Sequence, residues 1–502
     1  MLTALASLLL ALQQPQASER PRLVVMIAVD QLIPEQLQRL ATRFSGGFKR
    51  LLDEGAVFWR ATVDYACTET GPGHATLATG RWPLHHGIVG NLFFDREARS
   101  SAYCVGDPDS HPVTSAGQDA SQSSVSPANL IGDALGDLLA QRAAGSKTVT
   151  IAGKDRSAVL MGGHAPDAAL WWHPSVGGFS SSSHYGEKLP EFVEVWNAAW
   201  KERARGWKWT CEVEGDLSVL GTAPDEREGE SKRGGRTLPR TLPTEDGALA
   251  GAVLFSPLLD FFTIELGILA LDSEALGRDE SVDFLGLSLS GCDLLGHGHG
   301  PDSVEVTDLL VRDDRELGRL FRALDQTVGK GRWIACLSSD HGVLDLPEML
   351  QAQQVGARRV KGADVVAMRK RVDEAVDSAH PERGELGLRY SELGFTFDEA
   401  AATAAGIEPH ALRGLIAAAA EETDWVAEAY TLEELLGDDA SGSTSNSDPW
   451  LTLYRRCTRA DRGADVALRP EPWLLFDFPE GTSHGSPYPY DRRVPLVFLS
   501  AR

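Results

Sequence analysis

Uninterrupted apolar runs alternate along this chain with longer segments in which apolar residues recur at helical spacing. The runs are rich in valine, isoleucine and leucine, as expected for strands buried on both faces of a sheet. Predicted strands lie at residues 22–29, 147–152, 282–289, 333–337, 473–476 and 495–499. Predicted helices lie at residues 34–54, 129–142, 187–202, 257–271, 304–328 and 415–436. Strands alternating with long helices predict an α/β fold with a mostly parallel central sheet flanked by helices.

Two stretches interrupt this alternation and predict insertions. Residues 216–246 are polar, charged and rich in Gly and Pro, which predicts a solvent-exposed insertion. Residues 343–460 are rich in Ala and Glu and include a flexible stretch at 441–448, which predicts a helical cap or insertion. The main α/β domain would then comprise residues 19–342 and 461–502.

The N-terminal residues, Met1–Ser18, contain an apolar run from Leu2 to Leu12. It is too short to span a bilayer but suits a secretory signal peptide, with small residues near Ala17 and Ser18 for cleavage. A signal peptide usually begins with Lys or Arg, and none precedes this run. Either a misassigned start codon or a cytosolic protein with an apolar N terminus would explain their absence. We expect a periplasmic or secreted protein, and no later segment predicts a transmembrane helix.

The charge balance restricts the class of partner. The chain carries 72 acidic and 48 basic residues, a formal charge of −24, and has no block rich in Lys or Arg. Nucleic acid and anionic membrane surfaces are therefore not expected partners. An anionic small substrate would need strong local positive charge, such as metal ions. The oligomeric state stays open.

The six cysteines form neither a zinc-finger nor a ferredoxin pattern. Cys292 and Cys336 lie within or beside apolar runs and are expected to be buried thiols. The other four could pair in an exported protein, but the sequence does not fix the pairing.

In the stretch 66–80, two glycines and a proline precede a short run of good helix formers, which predicts a tight turn that places the hydroxyl of Thr70 at the start of a helix. A helix start offers free backbone N–H groups and a partial positive charge, which favour a bound anion. The alternative is that Thr70 only caps the helix, as threonine often does.

Three predicted strands end in or near a carboxylate, namely Asp30, Asp293 and Asp340. In open α/β sheets, ligands bind at the carboxyl ends of strands. Histidines follow at short spacing, with His297 four residues after Asp293 and His341 directly after Asp340. Carboxylate and imidazole are the ligands of catalytic zinc, so the combination predicts a metal site.

Each of these residues also has an ordinary structural explanation. An aspartate after a strand is commonly a helix cap, and a single loop histidine is more often a surface residue. His299 could compete with His297 as the ligand. The joint placement of the acids and histidines with Thr70 and Asn91 favours the metal site.

The motifs occur in the order found in a known superfamily. They are Val29-Asp30-Gln31, Thr70-Gly71-Pro72-Gly73-His74, Gly90-Asn91, Lys154-Asp155-Arg156, Asp293-Leu294-Leu295-Gly296-His297-Gly298-His299-Gly300-Pro301, Ser339-Asp340-His341-Gly342 and Thr482-Ser483-His484-Gly485-Ser486. The chain resembles the alkaline phosphatase superfamily, in the branch of nucleotide pyrophosphatase/phosphodiesterases and phosphate-irrepressible (PafA-like) alkaline phosphatases. The main α/β domain would be its catalytic domain.

The resemblance implies two Zn²⁺ ions and a small-molecule phosphate ester as substrate. One ion would be held by Asp293, His297 and His484. The other would be held by Asp30, Thr70, Asp340 and His341. Thr70 would take the phosphoryl group as a phosphothreonine, which water then hydrolyses.

The resemblance also indicates whether the substrate is a phosphate monoester or a phosphate diester. In the PafA-like branch a Lys-x-Arg pair and an asparagine contact the phosphoryl oxygens, and here these are Lys154, Arg156 and Asn91. A monoester carries more negative charge than a diester and calls for such cationic donors. A phosphomonoesterase, an alkaline phosphatase, is therefore favoured over a phosphodiesterase or nucleotide pyrophosphatase, although the pair could be a solvated basic turn.

A catalytically silent metal- or phosphate-binding protein stays open, whereas a sulfatase is disfavoured because the nucleophile turn lacks a Cys or Ser in a C/S-x-P-x-R pattern. Trp171, Trp172 and Phe179 lie in a predicted irregular lobe. They could line a leaving-group pocket or form ordinary apolar packing.

Overall fold

The computed structural model describes residues 20–115, 125–232, 234–391, 394–437, 448–476 and 478–500. The predicted signal peptide Met1–Ser18 and most of the predicted flexible stretch 441–448 lie outside the described residues.

A nine-stranded sheet forms the centre of the described structure. In spatial order it contains β2 (Ala56–Thr62), β19 (Arg493–Ser500), β12 (Trp333–Ser338), β1 (Leu23–Val29), β11 (Asp283–Leu289), β6 (Thr148–Ala152), β7 (Ala168–His173), β8 (Gly178–Ser182) and β5 (Pro112–Val113). The five strands from β12 to β7 are parallel, and antiparallel strands complete both edges. The predicted α/β fold with a mostly parallel sheet is confirmed.

The register of the three central strands aligns their carboxyl ends. Val29 at the end of β1 lies opposite Leu289 of β11, and Ala28 lies opposite Ser338 of β12. The side chains that follow these strands therefore emerge at one edge of the sheet.

Helices cover both faces of the sheet and line the second sheet described below. They are α1 (Pro34–Leu40), α2 (Gly47–Glu54), α3 (Thr70–Thr79), α4 (Pro83–His86), α5 (Leu135–Arg142), α6 (Asp155–Gly162), α7 (Glu191–Ala204), α8 (Asp246–Val253), α9 (Leu258–Ser273), α10 (Gly291–His299), α11 (Val304–Leu324), α12 (Pro347–Ala352), α13 (Gly362–Ala379), α14 (Glu399–Ala404), α15 (Pro409–Glu421), α16 (Leu432–Leu436), α17 (Pro449–Arg455) and α18 (Pro489–Arg492). A 3₁₀ helix spans Leu217–Leu220 and a π-helical turn spans Asp325–Gly329.

The predicted helix 34–54 is two helices, because the chain breaks between α1 and α2 to pack against α11. The Asp314 carboxylate of α11 accepts hydrogen bonds from the backbone N–H groups of Ser45, Gly46 and Lys49. A Cβ on Gly46 would lie 2.1 Å from the Asp314 carbonyl oxygen, so only glycine allows this close contact.

Three strands of a second, four-stranded sheet lie within the predicted helical cap, and the fourth, β17 (Val466–Pro470), follows it in the chain. The order of this sheet is β14 (Arg389–Ser391), β15 (Gly394–Thr396), β17 and β16 (Val426–Thr431). The predicted helix 415–436 is wrong between Glu421 and Leu432, because β16 pairs there with β17 and buries its apolar residues in a separate core with α13 and α15. The last five residues of the predicted helix are helical and form α16. The boundaries of the cap, 343–460, stay a prediction.

Three pairs of short strands lie outside the two larger sheets: β3 (Leu92–Asp95) with β4 (Ser100–Tyr103), β9 (Lys208–Trp209) with β10 (Arg240–Thr241), and β13 (Arg358–Val360) with β18 (Leu474–Phe476).

Two expectations about irregular regions need correction. Trp171 and Trp172 lie on β7 and Phe179 on β8, so the predicted irregular lobe is part of the central sheet. The segment 216–246 is not wholly solvent-exposed, since Arg227 and Glu230 are buried and form an ion pair of 3.1 Å.

Among the described residues, no single helix has the length and apolar composition needed to cross a membrane. Helices α8 and α9, which meet at a bend of 83°, satisfy both criteria only as a pair.

Candidate active site

Carboxylates and histidines from three loops and from helix α10 meet at the carboxyl edge of the central sheet. Asp30 follows β1, Asp340 and His341 follow β12, and Asp293 lies in the first turn of α10 just after β11. Asp30, Asp340 and His341 form one group whose candidate ligand atoms all lie within 4.8 Å of one another. Asp293, His341 and His484 form a second group by the same measure, so His341 adjoins both.

His297 also faces this cluster. Its Nε2 is 3.1 Å from Asp293 Oδ1, and His484 Nε2 is 3.5 Å from the same oxygen. The open choice between His297 and His299 resolves at this point, because four residues along a helix return to the same face and six do not. His299 is buried beside Arg240 and Glu305, away from the carboxylate cluster.

Each clustered histidine is oriented by a backbone carbonyl. The Nδ1 atoms of His297, His341 and His484 lie 2.8, 3.0 and 2.7 Å from the carbonyl oxygens of Thr482, Gly342 and Thr68. A carbonyl only accepts, so Nδ1 carries the hydrogen in all three rings. The Nε2 lone pairs are then directed to the carboxylates, the arrangement that metal-ligating histidines adopt.

Three oxygen and nitrogen atoms of the cluster are suited to binding a cation. Asp30 Oδ1, Asp340 Oδ2 and His341 Nε2 are buried and have no hydrogen-bond partner among the described residues. Burying such acceptors unsatisfied costs about 1–3 kcal/mol each, which a bound cation would offset. Carboxylate oxygens and imidazole nitrogens are suitable ligands for Zn²⁺.

The electrostatics of the cluster also call for positive charge. Burial, and then the neighbouring carboxylates of Asp293 and Asp340, raise the pKa of Asp30 well above its usual value. Burial lowers the pKa of His341 to about 3, so its ring is neutral and able to bind a metal.

Thr70 is the first residue of α3 and is buried. The N-cap residue is Glu69, and no side chain caps this helix, so the hypothesis that Thr70 only caps it is wrong. A Cβ on Gly73 would lie 2.5 Å from Asp340 Cβ, so this glycine lets the first turn of α3 lie directly against Asp340.

Lys154 and Arg156 converge on the Thr70 hydroxyl. Lys154 Nζ and Arg156 Nη2 are both 3.4 Å from Thr70 Oγ1. Lys154 Nζ also donates to Asp30 and Asp293, at 2.6 Å each. Burial lowers the pKa of Lys154, but these carboxylates outweigh burial and raise it, so the ammonium stays charged.

Asn91 borders the same space. Its Oδ1 accepts the backbone N–H of Gly71 at 2.7 Å, and its own backbone N–H donates to Glu69 at 2.6 Å. With Oδ1 engaged, the amide Nδ2 remains as the hydrogen-bond donor for a ligand. Asn91, Thr70, Arg156, His297 and His484 line one cavity of about 630 Å³.

Two residues of the site were not assigned a role from the sequence. Gln31 has φ 70° and contacts two of the acids, donating from Nε2 to Asp293 at 2.8 Å and from its backbone N–H to Asp340 at 3.2 Å. His74 lies one turn after Thr70, with Nδ1 2.9 Å from the Thr70 carbonyl and 3.3 Å from Asp340 Oδ2. The four-residue spacing of Thr70 and His74 was the available indication, whereas nothing in the sequence indicates the backbone conformation of Gln31.

Asp491 supports the loop that carries His484, and its burial gives a testable pH dependence. Its Oδ2 accepts the Ser486 N–H at 2.9 Å and the Ser486 hydroxyl at 2.6 Å. Burial raises the pKa of Asp491 from 3.8 to about 7. Between those values the folded state holds a proton that the unfolded state has released, so the carboxyl costs stability as pH rises through this window.

We compare the free energy of unfolding of the wild type with that of Asp491→Asn. The difference, wild type minus variant, should fall by up to about 4 kcal/mol between pH 4 and pH 7. Urea denaturation of the two metal-free proteins at a series of pH values measures the difference. Any pH-independent effect of the new amide shifts the difference by a constant and does not change its slope against pH. A difference that is flat across this range would contradict the expectation.

Comparison with known proteins agrees with the geometry of the site. A family model for type I phosphodiesterases/nucleotide pyrophosphatases matches residues 24–396. Alkaline phosphatase PafA of Elizabethkingia meningoseptica is 30% identical over 511 residues, covering 98% of this chain and 89% of PafA. Alkaline phosphatase PhoV of Synechococcus elongatus is 29% identical over 496 residues, covering 97% of this chain and 86% of PhoV.

A crystal structure of PafA has the same fold. It matches with a TM-score of 0.85 at 27% identity, covering 97% of this chain and 92% of that chain. The chain belongs to the type I phosphodiesterase/nucleotide pyrophosphatase family of the alkaline phosphatase superfamily, in the PafA-like alkaline phosphatase branch.

Proposed function

We propose that the protein is a two-zinc alkaline phosphatase that hydrolyses phosphate monoesters through a phosphothreonine on Thr70. The observation that carries the proposal is the position of the Thr70 hydroxyl, within 3.4 Å of both Lys154 and Arg156 and beside the cluster of carboxylates and histidines. A nucleophile, cationic donors and candidate metal ligands meet at one point.

The proposed metal ligands divide into two sets: Asp293, His297 and His484 for one Zn²⁺, and Asp30, Thr70, Asp340 and His341 for the other. Zinc bound there would supply Lewis acidity, lowering the pKa of the threonine hydroxyl and stabilising charge on the attacking and leaving oxygens.

The chain's own residues would act as follows. Lys154, Arg156 and Asn91 bind the non-bridging oxygens and orient phosphorus towards Thr70. Thr70 Oγ1 attacks phosphorus, the ester P–O bond breaks, and the alcohol leaves with a proton. Water then hydrolyses the phosphothreonine, which releases phosphate and restores the hydroxyl.

A phosphodiesterase or nucleotide pyrophosphatase is the second candidate, favoured by the description of the matching family. Lys154 and Arg156 support the monoesterase instead. The two partly buried cations suit the dianionic phosphoryl group of a monoester, whereas a diester has one charge fewer to offset their desolvation.

A matched pair of esters tests the choice. We expect p-nitrophenyl phosphate to be hydrolysed with a kcat/KM at least about tenfold above that of methyl p-nitrophenyl phosphate. Metal analysis of the same sample should find two zinc ions per chain, and activity should disappear with a chelator and return with Zn²⁺. Preference for the diester would support the second candidate. Bound zinc without turnover of either ester would support a silent binding protein.

We also propose that the protein is exported, on the basis of the apolar run Leu2–Leu12 followed by small residues.

A further inference from the structure

The 630 Å³ cavity beside Thr70 is lined by two chemically different sets of residues. One set is polar and includes Thr70, Asn91, Arg156, His297 and His484. The other is apolar and is here called the apolar wall; it includes Leu92, Leu344, Val365, Leu474, Phe476 and Phe478. A phosphate monoester has the same division, with a charged phosphoryl group at one end and the leaving alcohol at the other.

The apolar wall is assembled from several elements. Leu344 belongs to the loop that also carries Asp340 and His341. Leu92 begins β3 directly after Asn91, Val365 lies on α13, and Leu474 and Phe476 lie on β18.

Three side chains were first considered for a leaving-group pocket. Phe179 packs against Trp172 in the main core, with ring centroids 5.7 Å apart. Trp171 and Trp172 line a separate cavity of about 270 Å³ with Lys154 and Arg156, and neither lines the 630 Å³ cavity.

Large apolar side chains stand exposed in this wall. Leu92 is 45% exposed and Phe478 is 44% exposed, although both border the cavity that contains Thr70. Leaving apolar area in water at a cavity wall costs about 25 cal/mol per Å², which a ligand that covers it recovers. Exposed apolar surface beside convergent polar groups is the usual character of a small-molecule site.

The charges of the cavity restrict the ligand further. Among its lining residues that the structure describes, Arg156 is the one Lys or Arg, and it already faces Thr70. Glu69 and Asp491 also line the cavity. A leaving group with further phosphates would meet no second lysine or arginine there, and carboxyl groups would disfavour it.

We propose that the apolar wall is a leaving-group site, which makes uncharged aromatic and aralkyl phosphate monoesters the preferred substrate class over small alkyl and polyanionic esters. This inference rests on the proposed function. Phe478 and Leu92 are its specificity-determining residues, because they offer the most uncovered apolar surface.

Benzyl phosphate and methyl phosphate test the site, since their leaving alcohols are of similar acidity and differ mainly in apolar size. We expect the wild type to prefer benzyl phosphate by at least about tenfold in kcat/KM. In Phe478→Ser and Leu92→Ser the preference should fall several-fold, while kcat/KM for methyl phosphate stays within about twofold of the wild type. Phe498→Ser is the matched control, because Phe498 is 49% exposed on β19 and does not line the cavity.

Binding of phosphonates separates failure of this site from failure of the proposed function. Calorimetry should show benzylphosphonate binding at least about tenfold tighter than methylphosphonate to the wild type, and this difference should shrink in Phe478→Ser. Equal binding and equal turnover of both compounds by an active enzyme would overturn the leaving-group site alone. Selective binding of benzylphosphonate without any ester turnover would overturn the proposed function and support the site.

Discussion

Replacing Thr70 with alanine is expected to lower kcat/KM for p-nitrophenyl phosphate by at least about 10³-fold. The reason is positional, since the hydroxyl oxygen is 3.4 Å from both Lys154 Nζ and Arg156 Nη2. Removing it leaves the cations and the carboxylate cluster in place but takes away the atom that would attack phosphorus. Steady-state release of p-nitrophenol measures the loss.

Thr70→Ser is the matched control, because it keeps the hydroxyl and loses only a methyl group. It should retain activity within about one to two orders of magnitude of the wild type. Neither variant should lower the denaturation midpoint appreciably, since the Thr70 side chain does not cap α3. Intact mass spectrometry after an acid quench should detect covalent phosphate on the wild type and on Thr70→Ser. Undiminished turnover by Thr70→Ala would reject Thr70 as the nucleophile.

The parts of the site that follow from strand order were predictable from the sequence. Parallel strands place their carboxyl ends at one edge, so three apolar runs that end near Asp30, Asp293 and Asp340 bring those acids together once the strands are adjacent. The observed order β12, β1, β11 does this with β1 in the middle. The choice between His297 and His299 was also available from helical periodicity, although only on the assumption that Asp293 lies within a helix.

Contacts that depend on the backbone or on paired charges could not be predicted in the same way. Gln31 reaches Asp293 because its φ is positive, and no pattern of apolar residues specifies that conformation. Arg227 and Glu230 were expected to be solvated, since a sequence pattern does not distinguish paired, buried charges from exposed ones. Strand β16 was missed because its residues, Val426–Thr431, interrupt an Ala- and Glu-rich region whose composition favours helices.

The same limit applies to the two irregular-looking aromatics, Trp171 and Trp172. Four consecutive serines nearby suggested a loop, yet Trp171 lies opposite Ser180 and Trp172 opposite Phe179 in an antiparallel pair. Buried serines are tolerated here because their hydroxyls donate to backbone carbonyls, as Ser181 does to Ala169 at 2.8 Å. Tertiary hydrogen bonding outweighed the local preference.

Removing the Lys154 and Arg156 side chains is expected to change which ester is preferred. We expect Arg156→Met to lower kcat/KM for p-nitrophenyl phosphate by about 10²–10³-fold and that for methyl p-nitrophenyl phosphate by less than about tenfold. The monoester presents more negative charge to the guanidinium, and its transition state therefore loses more stabilisation. Lys154→Met should act in the same direction, with an added effect on metal content because Nζ contacts both Asp30 and Asp293 at 2.6 Å.

Metal analysis separates the two effects. Arg156 makes no ion pair with the three acids among the described contacts, so Arg156→Met should retain the zinc content of the wild type. Lys154 contacts Asp30 and Asp293, which are both proposed zinc ligands, so Lys154→Met should change the zinc content. Lys49→Ala is the control for loss of positive charge, since Lys49 pairs with Asp53 on the exposed face of α2. It should leave the ratio of the two rates unchanged. A proportional loss on both esters in Arg156→Met, at full zinc content, would mean that the guanidinium does not distinguish a monoester from a diester.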